Sequence, residues 1–409
     1  MRILIVSMYW PPAGGAGVQR PLKLAGHLVD LGHEVHVLAP DDPKWLHRDP
    51  TLAAAPAVIV HRARNLGPRA RLPGQELRAV RGLDRLVLRA ELGLRALLVP
   101  DASVIWALTA IPASRRLIRG LGIRVVLTTS PPGSVHLVGA AARRLTGVRW
   151  VADLRDSIVL HAHRRHELRG ERWLARIVAE RADAVTAASR AIAEEMRALR
   201  PAGRVVEIGN GCDFEDFDGL AYQSGDRFRI THAGSFMGRR SPRAFLDALG
   251  RMNGDVVARF VGDFRAGDRE YAAALGLGDR IELLPYTSRA EVLALERDSE
   301  ALLLLIPDAA GRGRGVLSGK VFEYLAAERP VIAVVPADGE AAALIREAGA
   351  GIVVAPDDVD GIATALGDLE KRWRAGKLRG TSLAPVLRAR LSRRARAEEL
   401  AQLLEEVAA

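Results

Sequence analysis

Apolar residues fall along this chain in short runs, separated by longer stretches with helical spacing, which predicts alternating strands and helices. Residues 3–9 form the first run, followed by the breaker-rich loop Trp-Pro-Pro-Ala-Gly-Gly-Ala-Gly. Leu22, Ala25, Leu28 and Val29 then share one helix face, Gly32 and His33 stop the helix, and residues 35–38 predict a second strand. Strand, loop, helix and strand in that order predict a parallel sheet with right-handed crossovers. Past Pro50 the alternation blurs. Residues 62–99 are rich in Arg and Leu, with Val80, Leu83, Val87, Leu94 and Leu97 near helical spacing, so they predict basic amphipathic helices. The rhythm resumes with strands over 124–129, 148–154 and 184–187 and helices from Val135 and over 171–181.

A stretch rich in Gly, Asp and Pro at 201–226 interrupts the pattern, and a second α/β series follows. Its strands are predicted at 228–233, 256–262, 281–284, 301–306, 331–335 and 351–355, with helices at 241–249, 289–297, 321–327 and 340–348. Two doubly wound α/β domains in tandem account for this order, residues 1–205 and 206–384. A terminal helical stretch, 385–409, is expected to return to the first, with Leu391, Ala395, Leu400, Leu403 and Leu404 as its buried stripe.

Composition narrows the classes. The chain has 409 residues, 49% hydrophobic and 26% charged, enough to bury large cores. Cys212 is the only cysteine, which excludes an internal disulfide and predicts a reducing compartment. No run reaches the ~18 apolar residues of a membrane span, and the first residues lack a cleavable leader pattern, so a cytoplasmic protein is expected. The net charge of +10 favours anionic partners without choosing among nucleic acid, phosphorylated substrates and membranes. Aromatic-interleaved basic motifs and a reading helix are lacking, which disfavours nucleic acid.

Gly14, Gly15 and Gly17 stand between a strand and a helix, where small residues let backbone amides approach a phosphate. The dinucleotide fingerprint G-x-G-x-x-G is broken, because Arg20 stands where its third glycine belongs. That disfavours a nicotinamide-dependent oxidoreductase.

With this loop in view the chain resembles the GT-B glycosyltransferases, and among them glycosyltransferase family 4. The resemblance rests on Tyr9-Trp10-Pro11-Pro12, Gly14-Gly15 and Gly32-His33-Glu34-Val35. In the second half it rests on Lys320-Val321-Phe322-Glu323-Tyr324-Leu325-Ala326, Arg329-Pro330-Val331-Ile332, Gly349-Ala350-Gly351 and Pro356-Asp357-Asp358. It implies two Rossmann-like domains facing a cleft, the second binding a nucleoside-diphosphate sugar, UDP- or GDP-linked, with no cofactor or metal required. The implied product is a glycan, polysaccharide or glycolipid.

The resemblance assigns donor binding to Gly14, Gly15, Gly234, Arg239, Arg240, Ser318, Gly319, Lys320 and Glu323. Glu323 matches the second glutamate of the family's Glu-x7-Glu motif, which holds the donor ribose; the place of the first is taken by Gly315. Ser235 stands where the family has an arginine, and Arg240 where it has a lysine. His136, Arg240 and Lys320 are the expected catalytic groups, and Asp153, Arg155 and Asp156 the expected acceptor side, with a structural ion cluster as the alternative. His161, His163 and His166 are read as a solvated run, not a metal site.

The implied chemistry is a retaining transfer without a protein nucleophile. The departing phosphate takes the acceptor's proton, while Arg240, Lys320 and the Gly14–Gly15 amides stabilise the transition state. The acceptor is a lipid-linked glycan, a polysaccharide precursor or a small molecule. A nucleotide-sugar epimerase on the same fold is the alternative. Arg239, Arg240, Arg312, Arg314 and Lys320 are expected around the diphosphate. The remaining positive charge either forms solvated helix faces or rests on an anionic inner-membrane surface.

Overall fold

The computed structural model describes residues 1–42, 48–67, 93, 97–159, 165–236, 240–252 and 255–409. The chain divides into two compact units, Met1–Gly209 with Arg393–Ala409, and Asn210–Ser392. Most of the basic stretch at 62–99 lies outside the described residues.

In the first unit the strands are β1 (Arg2–Ser7), β2 (Glu34–Pro40), β3 (Ile59–Ala63), β4 (Val125–Ser130), β5 (Arg149–Leu154), β6 (Ala184–Ala187) and β7 (Arg204–Glu207). They lie in the order β3-β2-β1-β4-β5-β6-β7, each pair parallel. The helices are α1 (Ala16–Asp30), α2 (Val104–Leu121), α3 (Val135–Thr146), α4 (Arg165–Arg181) and α5 (Arg190–Ala198).

Successive strand residues point to opposite sheet faces. Ile3 and Ile5 pack with Val18, Leu22, Ala25 and Leu28 of α1. Leu4 and Val6 instead meet Trp106 and Ala110 of α2 and Val135 and Val138 of α3. With helices on both faces, the strands read as unbroken apolar runs. A terminal helix (Arg393–Ala408) buries Ala397, Leu400, Leu403 and Leu404 in the α1 layer.

In the second unit the strands are β8 (Phe228–Ala233), β9 (Val256–Val261), β10 (Ile281–Leu284), β11 (Ala301–Leu305), β12 (Val331–Val334) and β13 (Gly351–Val354). Their order is β10-β9-β8-β11-β12-β13, again all parallel. The helices run in sequence as α6 (Arg243–Arg251), α7 (Ala266–Ala274), α8 (Arg289–Arg297), α9 (Gly319–Ala326), α10 (Glu340–Glu347), α11 (Val359–Arg374) and α12 (Pro385–Leu391). Both sheets are thus doubly wound and Rossmann-like, and strand order reverses between β1 and β4 and between β8 and β11. Ligands of such sheets bind beyond the carboxyl ends of the strands at these points.

Among the elements that escape the sequence pattern, two do so for clear physical reasons. Strand β3 is a sheet edge whose Ile59-Val-His-Arg-Ala63 is only partly buried, so it lacks the apolar run. Helix α2 carries Pro112 inside it, a residue that reads as a breaker.

One packing contact gives a direct stability test. A Cβ on Gly139 of α3 would lie 2.2 Å from Trp150 Nε1, and Trp150 is fully buried with that nitrogen donating to Thr128 Oγ1 at 2.8 Å. Gly139→Ala gains up to about 1 kcal/mol of helix propensity, but it overpacks a rigid indole. The expected result is a net loss of about 1–3 kcal/mol, read by chemical denaturation.

Candidate functional site

Beyond the carboxyl end of β8, Gly234 has φ 123°, a conformation that suits glycine. Its missing side chain makes room for Lys320: a Cβ there would lie 2.5 Å from the Lys320 Nζ. Lys320 is the second residue of α9, whose N-cap is Ser318. The Ser318 side chain makes no capping hydrogen bond, and its Oγ is buried without a partner. The strand-end glycine and the helix start therefore hold an ammonium at the switch point of the sheet.

Burial, and then the nearby Arg240 guanidinium, push Lys320 down from its ordinary 10.5 to about 8; Glu323 and Glu296 pull the other way. Arg240 is itself lowered by burial, and its Nε has no partner. His232, in β8, is buried and gives its Nδ1 proton to the Leu303 carbonyl at 2.8 Å. That leaves Nε2 a lone-pair acceptor with no partner. Burial and the Lys320 charge hold His232 neutral, well below its ordinary pKa. Tyr324 is buried, and its hydroxyl accepts the Ala233 amide at 3.0 Å, tying α9 to the end of β8.

Glu323 lies one turn along α9 from Lys320. Its Oε1 accepts from Arg289 at 2.9 Å, and Arg289 also comes within 3.6 Å of Asp216. Arg289 opens α8, where Ser288 and Glu291 form a capping box that fixes the helix start. Burial opposes the Arg289 charge, but the Glu323 carboxylate overcomes it and raises the guanidinium pKa. Two turns on, Glu296 has no exposed surface and neither carboxylate oxygen has a partner. Burial, and next the Glu323 charge, push its pKa well above the usual carboxylate range.

The structure therefore brings Gly234, Arg240, Ser318, Gly319, Lys320 and Glu323 to one end of one sheet. Arg239 lies outside the described residues. Arg312 and Arg314 both have exposed side chains, and Arg314 pairs with Asp338 at 3.2 Å. Arg289, Glu296 and His232 are additions that sequence reasoning missed. Arg289 and Glu296 are seven residues apart on one helix, and such a charge pair reads as a solvated face. His232 is a polar residue inside an otherwise buried strand, which was the available signal.

In the first unit Gly15, with φ 93°, is the N-cap of α1, and no acidic residue lies in the first turn. Gly14 precedes it, so this helix start suits an anion. Arg155 binds the backbone on both sides of the switch point. It donates to Ser130 O at 2.5 Å, to Pro131 O at 2.9 Å and to Gly17 O, and it lies 5.6 Å from the centre of the Tyr9 ring.

Asp153 departs from the acceptor-side expectation. It is buried and accepts from Arg20 at 2.8 and 3.2 Å, Thr129 at 2.7 Å and Thr186 at 2.7 Å. A carboxylate has about four acceptor sites, and all are used within the fold. Arg20 also donates to the Ile208 and Gly209 carbonyls, which explains the broken glycine fingerprint. Asp156 is exposed. His136 has no exposed surface; its Nδ1 lies 2.8 Å from Thr128 Oγ1, and burial lowers its pKa to about 3. Its Nε2 has no partner.

His161 and His163 lie outside the described residues, and His166 is exposed. Among the described residues no group of three or more His, Cys, Asp or Glu is placed to hold a metal ion. No described helix is long and apolar enough to cross a membrane.

Comparison with known proteins adds independent findings. Residues 14–211 match the glycosyl transferase 4-like domain, and residues 227–372 match glycosyl transferases group 1. No curated protein sequence matches the chain. Among solved structures, sucrose-phosphate synthase from Thermosynechococcus elongatus is similar with TM-score 0.70 and 16% identity, covering 99% of this chain and 98% of that one. HepE from Anabaena, solved with UDP and glucose, gives TM-score 0.66 and 15% identity, covering 99% and 100%. The α,α-trehalose 6-phosphate synthase of Burkholderia multivorans gives 0.59 and 14%, covering 100% and 96%. Neither family model supports an epimerase. Two glycosyltransferase family models that between them take in most of the chain, on two Rossmann-like sheets, show that it belongs to the GT-B glycosyltransferases of family 4.

Proposed function

We propose that the second unit binds the diphosphate of a UDP- or GDP-sugar and that the enzyme transfers the sugar to an acceptor hydroxyl with retention of configuration. The observation that carries this reading is the Lys320 ammonium seated on Gly234 beside Arg240, with unpartnered buried atoms on Arg240, Ser318 and His232. Buried polar atoms are normally satisfied, so this group suits a polar ligand that completes it. Glu323, oriented by Arg289, keeps acceptor capacity for a ribose diol. The UDP bound to HepE supports a uridine donor.

In the reaction the bond between the anomeric carbon and the diphosphate oxygen breaks, and a bond to the acceptor oxygen forms on the same face. The acceptor proton passes to the departing phosphate. Arg240 and Lys320 are cations already aimed at the oxygen that gains charge, so little reorganisation is needed. They supply the neutralisation that a divalent ion would otherwise give, and no cofactor is required. The acceptor is a glycan, a lipid-linked precursor or a small molecule, and the basic chain makes peripheral contact with an anionic membrane.

Thermal shift with UDP and GDP tests the site, because a nucleotide held only by the folded state raises its stability. One of them is expected to raise the midpoint. Glu323→Gln, which keeps an oxygen for Arg289, is expected to weaken that nucleotide at least about tenfold. Turnover is expected to persist in chelator. Equal binding by wild type and Glu323→Gln would remove the ribose assignment.

A further inference from the structure

Helix α4 of the first unit presents a face that the glycosyl-transfer site does not use. Its inner side, Leu174, Ala175, Val178 and Ala179, belongs to the core. On the outer side Arg169, Arg172, Trp173 and Arg176 are exposed, and Trp173 leaves 51% of its surface open. At about 3.6 residues per turn these positions fall on one arc of the helix. The three arginines make no hydrogen bond or ion pair with other described residues. Glu180 is the exposed carboxylate on the same side.

Two further features adjoin this arc. A Cβ on Gly170 would lie 1.9 Å from Val99 Cγ1, so the chain at Val99 is pressed against α4. Leu97, two residues earlier, is 73% exposed. At the other end of α4, Arg181 joins Ala140, Arg143 and Arg144 of α3 around an open recess of about 300 Å³. Arg143 is tied to Asp183 at 2.8 Å, whereas Arg144 and Arg181 have no partner among the described residues.

An indole and a leucine left in water amid guanidinium groups that outnumber the one carboxylate suit a surface that is apolar at depth and anionic above. We propose that the outer face of α4 is where the protein docks on an anionic lipid bilayer, with Trp173 and Leu97 entering the interface and the arginines meeting headgroup phosphates. The inference builds on the peripheral contact proposed above and is independent of the donor-site assignment.

Sedimentation of the full chain with phosphatidylcholine vesicles, with and without about 30 mol% phosphatidylserine, tests it. Binding is expected only to the anionic vesicles and to weaken with salt. The triple variant Arg169→Glu, Arg172→Glu, Arg176→Glu is expected to bind about 10²-fold more weakly or worse, and Trp173→Ala about tenfold more weakly. Circular dichroism and the thermal midpoint, unchanged in both, establish that the variants are folded. Binding to neither vesicle would overturn the membrane contact itself. Binding retained by the triple variant would overturn its location on α4, and duplex DNA displacing the protein from vesicles at physiological salt would favour a general polyanion surface instead.

Discussion

Lys320→Met is expected to lower kcat/KM by about 10²–10³-fold, the loss seen when one preorganised group on a developing oxyanion is removed. The same variant is expected to be more stable than the wild type at neutral pH. In the folded protein Lys320 titrates near 8, against 10.5 when free, so the unfolded chain holds that proton more tightly. Its cost to stability is present below pH 8 and is relieved as pH rises from 8 to 10.5. At most about 3 kcal/mol is at stake. Wild-type stability therefore gains from this group across that window, and the methionine variant lacks the slope. Nucleotide affinity moves the other way. A diphosphate prefers the protonated ammonium, so its Kd is expected to rise up to about tenfold per pH unit above 8. Calorimetric titrations at several pH values, paired with denaturation of both proteins, check the two signs together. A flat affinity profile in the wild type would remove Lys320 from the diphosphate.

Asp153→Ala is expected to cost about 3–5 kcal/mol, because it leaves the Arg20 guanidinium as an uncompensated buried charge. Burial works against the Asp153 charge, but Arg20, Thr129 and Thr186 outweigh it and hold the carboxyl below its ordinary 3.8. Its stabilisation is therefore full above about pH 4 and fades as pH falls through the depressed pKa. Replacing the pair by Arg20→Met with Asp153→Leu is expected to recover much of the loss, since well-packed apolar residues often match a buried ion pair. Denaturant midpoints of the single and double variants give the coupling.

Much of the site was legible because its parts are local in sequence. Ser318, Gly319, Lys320 and Glu323 fall within six consecutive residues, and Gly234 follows a buried strand where a ligand loop belongs. What stayed hidden depends on distance along the chain. Arg289 meets Glu323 across 34 residues, and Arg20 meets Asp153 across 133; neither spacing leaves a periodic trace. The depth of His136 was not legible, because position at a helix start says nothing about burial. Its ring is enclosed with Trp150, 6.5 Å away between centres. The fold itself was carried by doubly buried strands, whose continuous apolar runs need no partner to be seen.

The Arg20–Asp153 pair also bears on what this sequence can become. Restoring the third glycine of a dinucleotide fingerprint at position 20 would strip the buried carboxylate of its cation, and any gain in cofactor affinity would be offset by a fold several kcal/mol weaker. A route to that specificity must change residue 153 first or at the same time. The first unit is in this sense held to its present role by a residue four strands along the chain, and drift at the loop alone is selected against.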